Sequence, residues 1–200
     1  MQFDAVVLAG GRSSRMGVAK SGLVFEGRPL VEVAVAAARG ARRTVVVGPS
    51  GVAPAAVLTA REDPPWGGPA AALGAGLDRL AETAAEWVLV LACDLPRAEH
   101  AVDALLAAAR PHTSSPVDAI VAVDGRGRRQ PLLALYRADA LVRAVASARS
   151  DGGLEGLPLR RLVGSFATAE VVVDDAVCAD VDTPAQARAF GIEVVGAAVI

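Results

Sequence analysis

The chain has 200 residues, of which 53% are hydrophobic and 21% charged, with a formal net charge of −2. That balance describes one globular domain, residues 1–200, with a sizeable core. It excludes a disordered chain and gives no electrostatic reason to expect nucleic acid or an anionic membrane as partner.

In chain order, "FDAVVLA" (3–9) reads as a first strand, cut off by Gly10 and Gly11. A loop with Arg12, Arg15 and Lys20 follows, and it holds no acid. "PLVEVAVAAARG" (29–40) has helical spacing, with Pro29 in the first turn and Gly40 at the end. "RTVVVG" (43–48) is a second strand, "PAAALGAGLDRLAETAAE" (69–86) a helix and "WVLVLAC" (87–93) a third strand. The helix "AEHAVDALLAAARP" (98–111) precedes the strand "DAIVAV" (118–123). "DGRGRRQPLLALY" (124–136) then breaks the alternation, and a charged turn between two strand-like runs suggests an inserted hairpin. A helix at 138–149 and a strand at 169–174 complete the series.

Strand runs that are apolar almost throughout imply a sheet covered on both faces. The expected fold is therefore α/β: a three-layer sandwich around a mainly parallel, doubly wound, Rossmann-like sheet. Such sheets bind ligands at the carboxyl ends of their strands. There the sequence places Gly10–Gly11, Cys93–Asp94 and the run Asp180-Val181-Asp182-Thr183.

Two glycines let backbone amides approach and cradle phosphate oxygens. No Gly-Lys-Ser/Thr ending and no GxGxxG follows, so neither a P-loop nor a nicotinamide fingerprint is present. Lys20 is the one lysine among 20 basic residues. A compact ammonium can follow a moving phosphoryl group where arginine is a rigid fork. Asp94, at the end of a buried strand, offers the carboxylate oxygen that Mg²⁺ prefers. Asp182 is balanced between metal ligand and cap of a helix starting at Pro184, a cap that Thr183 could also supply, and Asp180 is a supporting acid. Cys93 and Cys178 are read as buried small hydrophobes and not as a disulfide. Nothing favours His100 or His112 as a base. The apolar stretches are too short to span a bilayer and the N-terminus lacks a basic n-region, so a cytoplasmic location is expected.

"LAGGRSSRMGVAK" with "FEGRPLVE" resembles the opening of nucleotidyltransferases, which move a nucleoside monophosphate from an NTP. "EDPPWGGPAAALGAGL", "LVLACDLP", "RRQPLLALY" and "ADVDTPAQARAF" follow in the same order, and the set is most similar to the molybdenum cofactor guanylyltransferases of the MobA-like NTP transferase family. The resemblance implies transfer of GMP from GTP to the terminal phosphate of molybdenum-bound molybdopterin. Leu8, Ala9, Gly10, Gly11, Arg12, Lys20, Asp63 and Asp94 would contact the nucleotide. Lys20, Asp94 and Arg15 would be catalytic, and Asp94 and Asp182 would hold Mg²⁺. The basic turn with Arg126, Arg128, Arg129 and Gln130 is a candidate for binding the acceptor's phosphate and pterin. Transient contact with other molybdenum cofactor proteins is implied as well.

The chain departs from this pattern at Ala19, where an aspartate is usual. "DVDTP" is shared with cytidylyltransferases. A cytidylyl transfer to the same cofactor, another small NTP transferase and a non-catalytic nucleotide-binding delivery protein therefore stand as alternatives. A nicotinamide oxidoreductase is a distant fourth.

Overall fold

The computed structural model describes residues 1–11, 16–17, 19–80, 85–112 and 117–192. Strand β1 (Phe3–Leu8) leads, past a short hairpin of β2 (Val24–Phe25) and β3 (Arg28–Pro29), into helix α1 (Leu30–Ala37). Next come β4 (Thr44–Val47), β5 (Leu58–Ala60), α2 (Pro69–Leu80), β6 (Trp87–Ala92) and α3 (Ala98–Ala109). After β7 (Ala119–Val123) and β8 (Arg129–Arg137) come α4 (Ala138–Ser150), α5 (Leu159–Leu162), β9 (Thr168–Val172), α6 (Asp175–Cys178) and α7 (Pro184–Ala189). The α2 segment ends earlier than its expected 86, since Glu86 already turns into β6. No helix among the described residues is long and apolar enough to cross a membrane.

Seven strands form one sheet in the order β5-β4-β1-β6-β8-β7-β9. Only β8 runs antiparallel to its neighbours, as an inserted hairpin with β7 requires. The expected α/β sandwich with a mainly parallel sheet is the observed one.

Alternation along each strand divides the core. Ala5, Val7, Leu89, Leu91, Ile120 and Leu135 face α1 and α3. Val6, Val45, Val88, Val90, Val121 and Tyr136 face α2 and α4. Helix α2 packs so closely that a Cβ on Gly76 would lie 2.6 Å from Val6 Cγ1 and 3.1 Å from Val47 Cγ2. Valine side chains are stiff and cannot swing aside. Gly76→Ala therefore meets an overpacking cost of about 1–3 kcal/mol, against a helix-propensity gain of about 1 kcal/mol. The variant is expected to melt a few degrees below the parent, by calorimetry, whereas the same change on an exposed helix face would raise the melting temperature.

The hairpin contains the irregularity that shapes the ligand end of the sheet. Val121 pairs with Ala134, but the next residue, Ala122, pairs with Gln130, so β8 carries extra residues from Pro131 to Leu133. Proline has no amide to give to a ladder and suits such a bulge. Tyr136 holds it by donating its hydroxyl to the Pro131 carbonyl at 2.8 Å.

The turn itself is tied by Asp124. Its carboxylate accepts from the Arg128 backbone N–H at 2.9 Å, the Arg126 N–H at 3.0 Å and the Arg128 guanidinium at 2.7 Å. These bonds, the Arg128 amide first, hold the Asp124 pKa below the usual carboxylate value. A depressed acid stabilises the fold above its unfolded pKa and loses that contribution as pH falls through the folded one. Asp124→Asn should thus be the less stable protein at pH 7. The gap should close in urea titrations carried below the ordinary carboxylate range, where the parent's Asp124 is protonated too.

Candidate functional site

A cleft of about 660 Å³ opens at the carboxyl ends of β1 and β6. That volume falls within the ordinary range for small-molecule sites. Its floor is the chain leaving β1: Leu8, Ala9, Gly10 and Gly11 all line it. The Ala9 N–H bonds to the Val47 carbonyl and the Cys93 N–H to the Leu8 carbonyl, so the three strand ends are stitched together behind the cleft. Glycine is needed at 48 for this closeness, because a Cβ there would sit 3.1 Å from the Ala9 carbonyl carbon.

Lys20 begins a single 3₁₀ turn, Lys20–Gly22, that returns the chain to the cleft. Its Nζ donates to Asp94 Oδ2 at 2.9 Å and also to Asp182 Oδ1. One ammonium thus joins carboxylates that are 88 residues apart in sequence. Burial alone would lower the lysine pKa, but attraction to Asp94 and hydrogen bonds to Asp182 and Asp94 outweigh it, and the net shift is upward. Lys20 is therefore a fixed cation throughout the physiological range.

Local physics explains how Asp182 arrives. Asp180 and Asp182 both line the cleft, while Val181 between them is completely buried. The Val181 N–H bonds to the Asp94 carbonyl at 3.0 Å, pinning this strip to the end of β6. Asp182 is not the cap of α7. Thr183 is: its hydroxyl oxygen accepts from the Gln186 N–H at 3.3 Å, and Gln186 Oε1 accepts from the Asp182 N–H at 3.0 Å. That reciprocal arrangement leaves the Asp182 carboxylate to the cleft. Nor does Asp94 cap α3, whose N-cap is Arg97 with no side-chain bond. Asp180 has a raised pKa, first because it is half-buried and then because Asp182 and Asp94 lie near.

The donor set suits Mg²⁺. Asp94 and Asp182 converge on the point that the Lys20 ammonium holds here, and their oxygens are hard ligands. Mg²⁺, which takes one or two carboxylates with waters and substrate phosphates, would displace that ammonium from between them. Among the described residues no group of three or more His, Cys, Asp or Glu is placed to hold a metal by itself.

Other expected residues fall differently. Arg12 and Arg15 lie outside the described residues. Asp63 is exposed and does not line the cleft; its neighbour Glu62 does, and is buried. The two adjacent acids cannot both face inward, and a sequence that offers "ED" does not say which will. Of the basic turn, only Gln130 reaches the cleft. Arg128, its side chain 71% exposed, is held by Asp124, and Arg129 bonds Glu170 on β9 at 2.6 Å. Adjacent strand residues point to opposite faces, which separates Arg129 from Gln130. Cys93 and Cys178 both line the cleft as free thiols. Burial and the nearby Asp94 push the Cys93 pKa up to about 12, and burial with Asp124 and Asp175 pushes that of Cys178 up to about 11, so neither is a ready nucleophile. No histidine is among the described residues that line the cleft. Trp66, unforeseen in the sequence, does line it.

Residues 5–171 match the family described as the MobA-like NTP transferase domain. The chain is 35% identical over 142 residues to a probable molybdenum cofactor guanylyltransferase of Trichormus variabilis, covering 68% of this chain but 66% of that relative's length. It is 28% identical over 200 residues to the molybdenum cofactor guanylyltransferase of Shewanella halifaxensis, with 95% and 94% of the two chains covered. In fold it is similar to the crystal structure of molybdopterin-guanine dinucleotide biosynthesis protein A from Archaeoglobus fulgidus. That match has a TM-score of 0.69 at 18% identity and covers 94% of this chain and 96% of the other.

Proposed function

We propose that this chain, which belongs to the MobA-like NTP transferase family and is a nucleotidyltransferase, transfers GMP from GTP to the terminal phosphate of molybdenum-bound molybdopterin. Pyrophosphate leaves and the guanine dinucleotide cofactor forms. The observation that carries this reading is the bridge from Lys20 to Asp94 and Asp182 beside the Gly10–Gly11 backbone. The guanylyltransferase names of the relatives from Trichormus variabilis and Shewanella halifaxensis support the choice of guanine and of the acceptor.

The residues then divide the work. Leu8 to Gly11 lie along base and phosphates, their backbone amides cradling oxygen. The acceptor's terminal phosphate, already an anion, attacks the α-phosphorus in line, and the bond to the departing pyrophosphate breaks. Such a nucleophile needs no general base, which agrees with a cleft whose described lining has no histidine and whose thiols stay protonated. Lys20 neutralises the charge that builds on the leaving pyrophosphate. Asp94 and Asp182 would hold Mg²⁺, which when bound neutralises and orients the phosphates. Asp180 stands behind them. On the opposite wall Gln130 faces the acceptor, while Arg128 and Arg129 would join it only by leaving Asp124 and Glu170. Transient contact with proteins that supply and receive the cofactor belongs to the same reading.

Titration with GTP, CTP, ATP and UTP in the presence of Mg²⁺ tests the base. GTP is expected to bind most tightly, with the other nucleotides measurably weaker. A preference for CTP would reassign the chain to cytidylyl transfer. Tight binding with no pyrophosphate release in the presence of acceptor would make it a nucleotide-binding delivery protein instead.

A further inference from the structure

The segment between β5 and α2 holds Trp66 in a strained backbone conformation. Its φ is +69°, a region that bulky side chains rarely adopt. Strain of this kind persists only where the surroundings over-determine it, and it gathers at ligand sites. Here the surroundings do so on both sides. The carboxylate of buried Glu62 accepts the Trp66 backbone N–H at 3.2 Å. Gly67 is fixed as well: its carbonyl accepts from the Gly156 N–H at 2.8 Å, and a Cβ on it would lie 2.9 Å from Ala71 Cβ. The backbone is therefore locked, yet the indole it carries is 45% exposed and lines the cleft. The chain's other tryptophan, Trp87, is wholly buried under the Arg137 guanidinium. A large rigid ring presented to a cleft from a strained, locked backbone is built to meet another flat surface.

The side of the cleft decides which surface. Trp66 shares its wall with Pro49 and Glu62, around Gly10 at the end of β1. Gln130 and Leu132, brought in by the β8 bulge, line the cleft from the strand on the far side of β6. Resting on the nucleotidyl-transfer reading above, we propose that the Trp66 indole is the stacking platform for the purine base of the bound nucleoside triphosphate, with Glu62 as the positioning residue that sets its backbone. A purine overlaps an indole more fully than a pyrimidine does, so Trp66 selects purine over pyrimidine. It does not distinguish one purine from another.

Tryptophan emission reads this directly, because Trp87 contributes a constant buried background. GTP and ATP are expected to quench the emission of the parent on binding. The quench should vanish in Trp66→Phe, while that variant keeps most of its affinity for GTP by calorimetry. Base stacking on an aromatic ring is removed by alanine at a cost of roughly ten- to one-hundredfold in affinity. Trp66→Ala is therefore expected to lose about that factor for GTP and ATP and clearly less for CTP, with KM for GTP raised and kcat at saturation retained. Calorimetric GTP binding without any quench, or a Trp66→Ala protein that binds GTP as tightly as the parent, overturns the stacking role and leaves nucleotidyl transfer standing. A loss in Trp66→Ala confined to binding of a free pterin hands the platform to the acceptor and overturns the base assignment. Failure of the parent to bind any nucleotide overturns both readings together.

Discussion

Lys20→Ala is expected to turn over about a hundred to a thousand times more slowly than the parent at saturating GTP and acceptor. The magnitude is that of deleting one preorganised group aimed at developing charge. Its direction follows from geometry: the ammonium lies within hydrogen-bond reach of both cleft carboxylates and keeps its proton because they hold its pKa above the ordinary lysine value. The loss should fall mainly on kcat, because the charge that Lys20 meets is greatest as pyrophosphate departs. Lys20→Arg should recover little, since a planar fork replaces a compact charge between two acids. The parent's rate should show no fall from loss of the Lys20 proton as pH rises through 9. A single-turnover measurement of pyrophosphate release across pH 6–9 checks both statements. A Lys20→Ala protein within threefold of the parent would remove Lys20 from the chemistry.

Asp94→Asn is the second large effect, expected at about a thousandfold or more in turnover, with loss of the divalent-cation dependence of GTP binding. The fold should survive it. Asp180 and Asp182 crowd the same strip, and the Asp94 charge adds to the unfavourable field that raises the Asp180 pKa after burial has done so. Removing one negative charge relieves that repulsion, and Lys20 retains Asp182 as partner. The backbone bond from Val181 to the Asp94 carbonyl does not depend on the side chain. Circular dichroism and melting close to the parent's, together with abolished turnover, are the expected pair of results. Equal losses in melting temperature and activity would mean that Asp94 serves the fold rather than the reaction.

Much of this was legible in the sequence because the strands are apolar on both faces. Runs such as "WVLVLAC" state their burial directly, and the order of strands and helices then leaves few topologies. Asp94, just past the end of β6, follows from the same logic, whereas Asp180 and Asp182 are separated from the end of β9 by α6 and reach the cleft through the Val181 bond to the Asp94 carbonyl. Side-chain direction within a loop was not legible. Asp63 and Glu62 are adjacent acids, and only the tertiary path of the chain decides that Glu62 turns inward. Arg128 and Arg129 looked like acceptor ligands from charge alone. Asp124, four residues before Arg128, and Glu170, on a different strand from Arg129, take them away from the cleft. The β8 bulge that aims Gln130 is hidden because its signal is one proline inside an otherwise regular strand. Nothing in a tryptophan between prolines and glycines states its direction; only the locked backbone shows Trp66 at the cleft.

Transfer of labelled GMP from α-labelled GTP to molybdenum-bound molybdopterin, followed together with pyrophosphate in the parent and in Asp94→Asn, tests the central claim most directly. One pyrophosphate per labelled dinucleotide is expected from the parent, with neither product from the variant. GTP bound in the cleft with no labelled product and no pyrophosphate, in the presence of Mg²⁺ and acceptor, would contradict it.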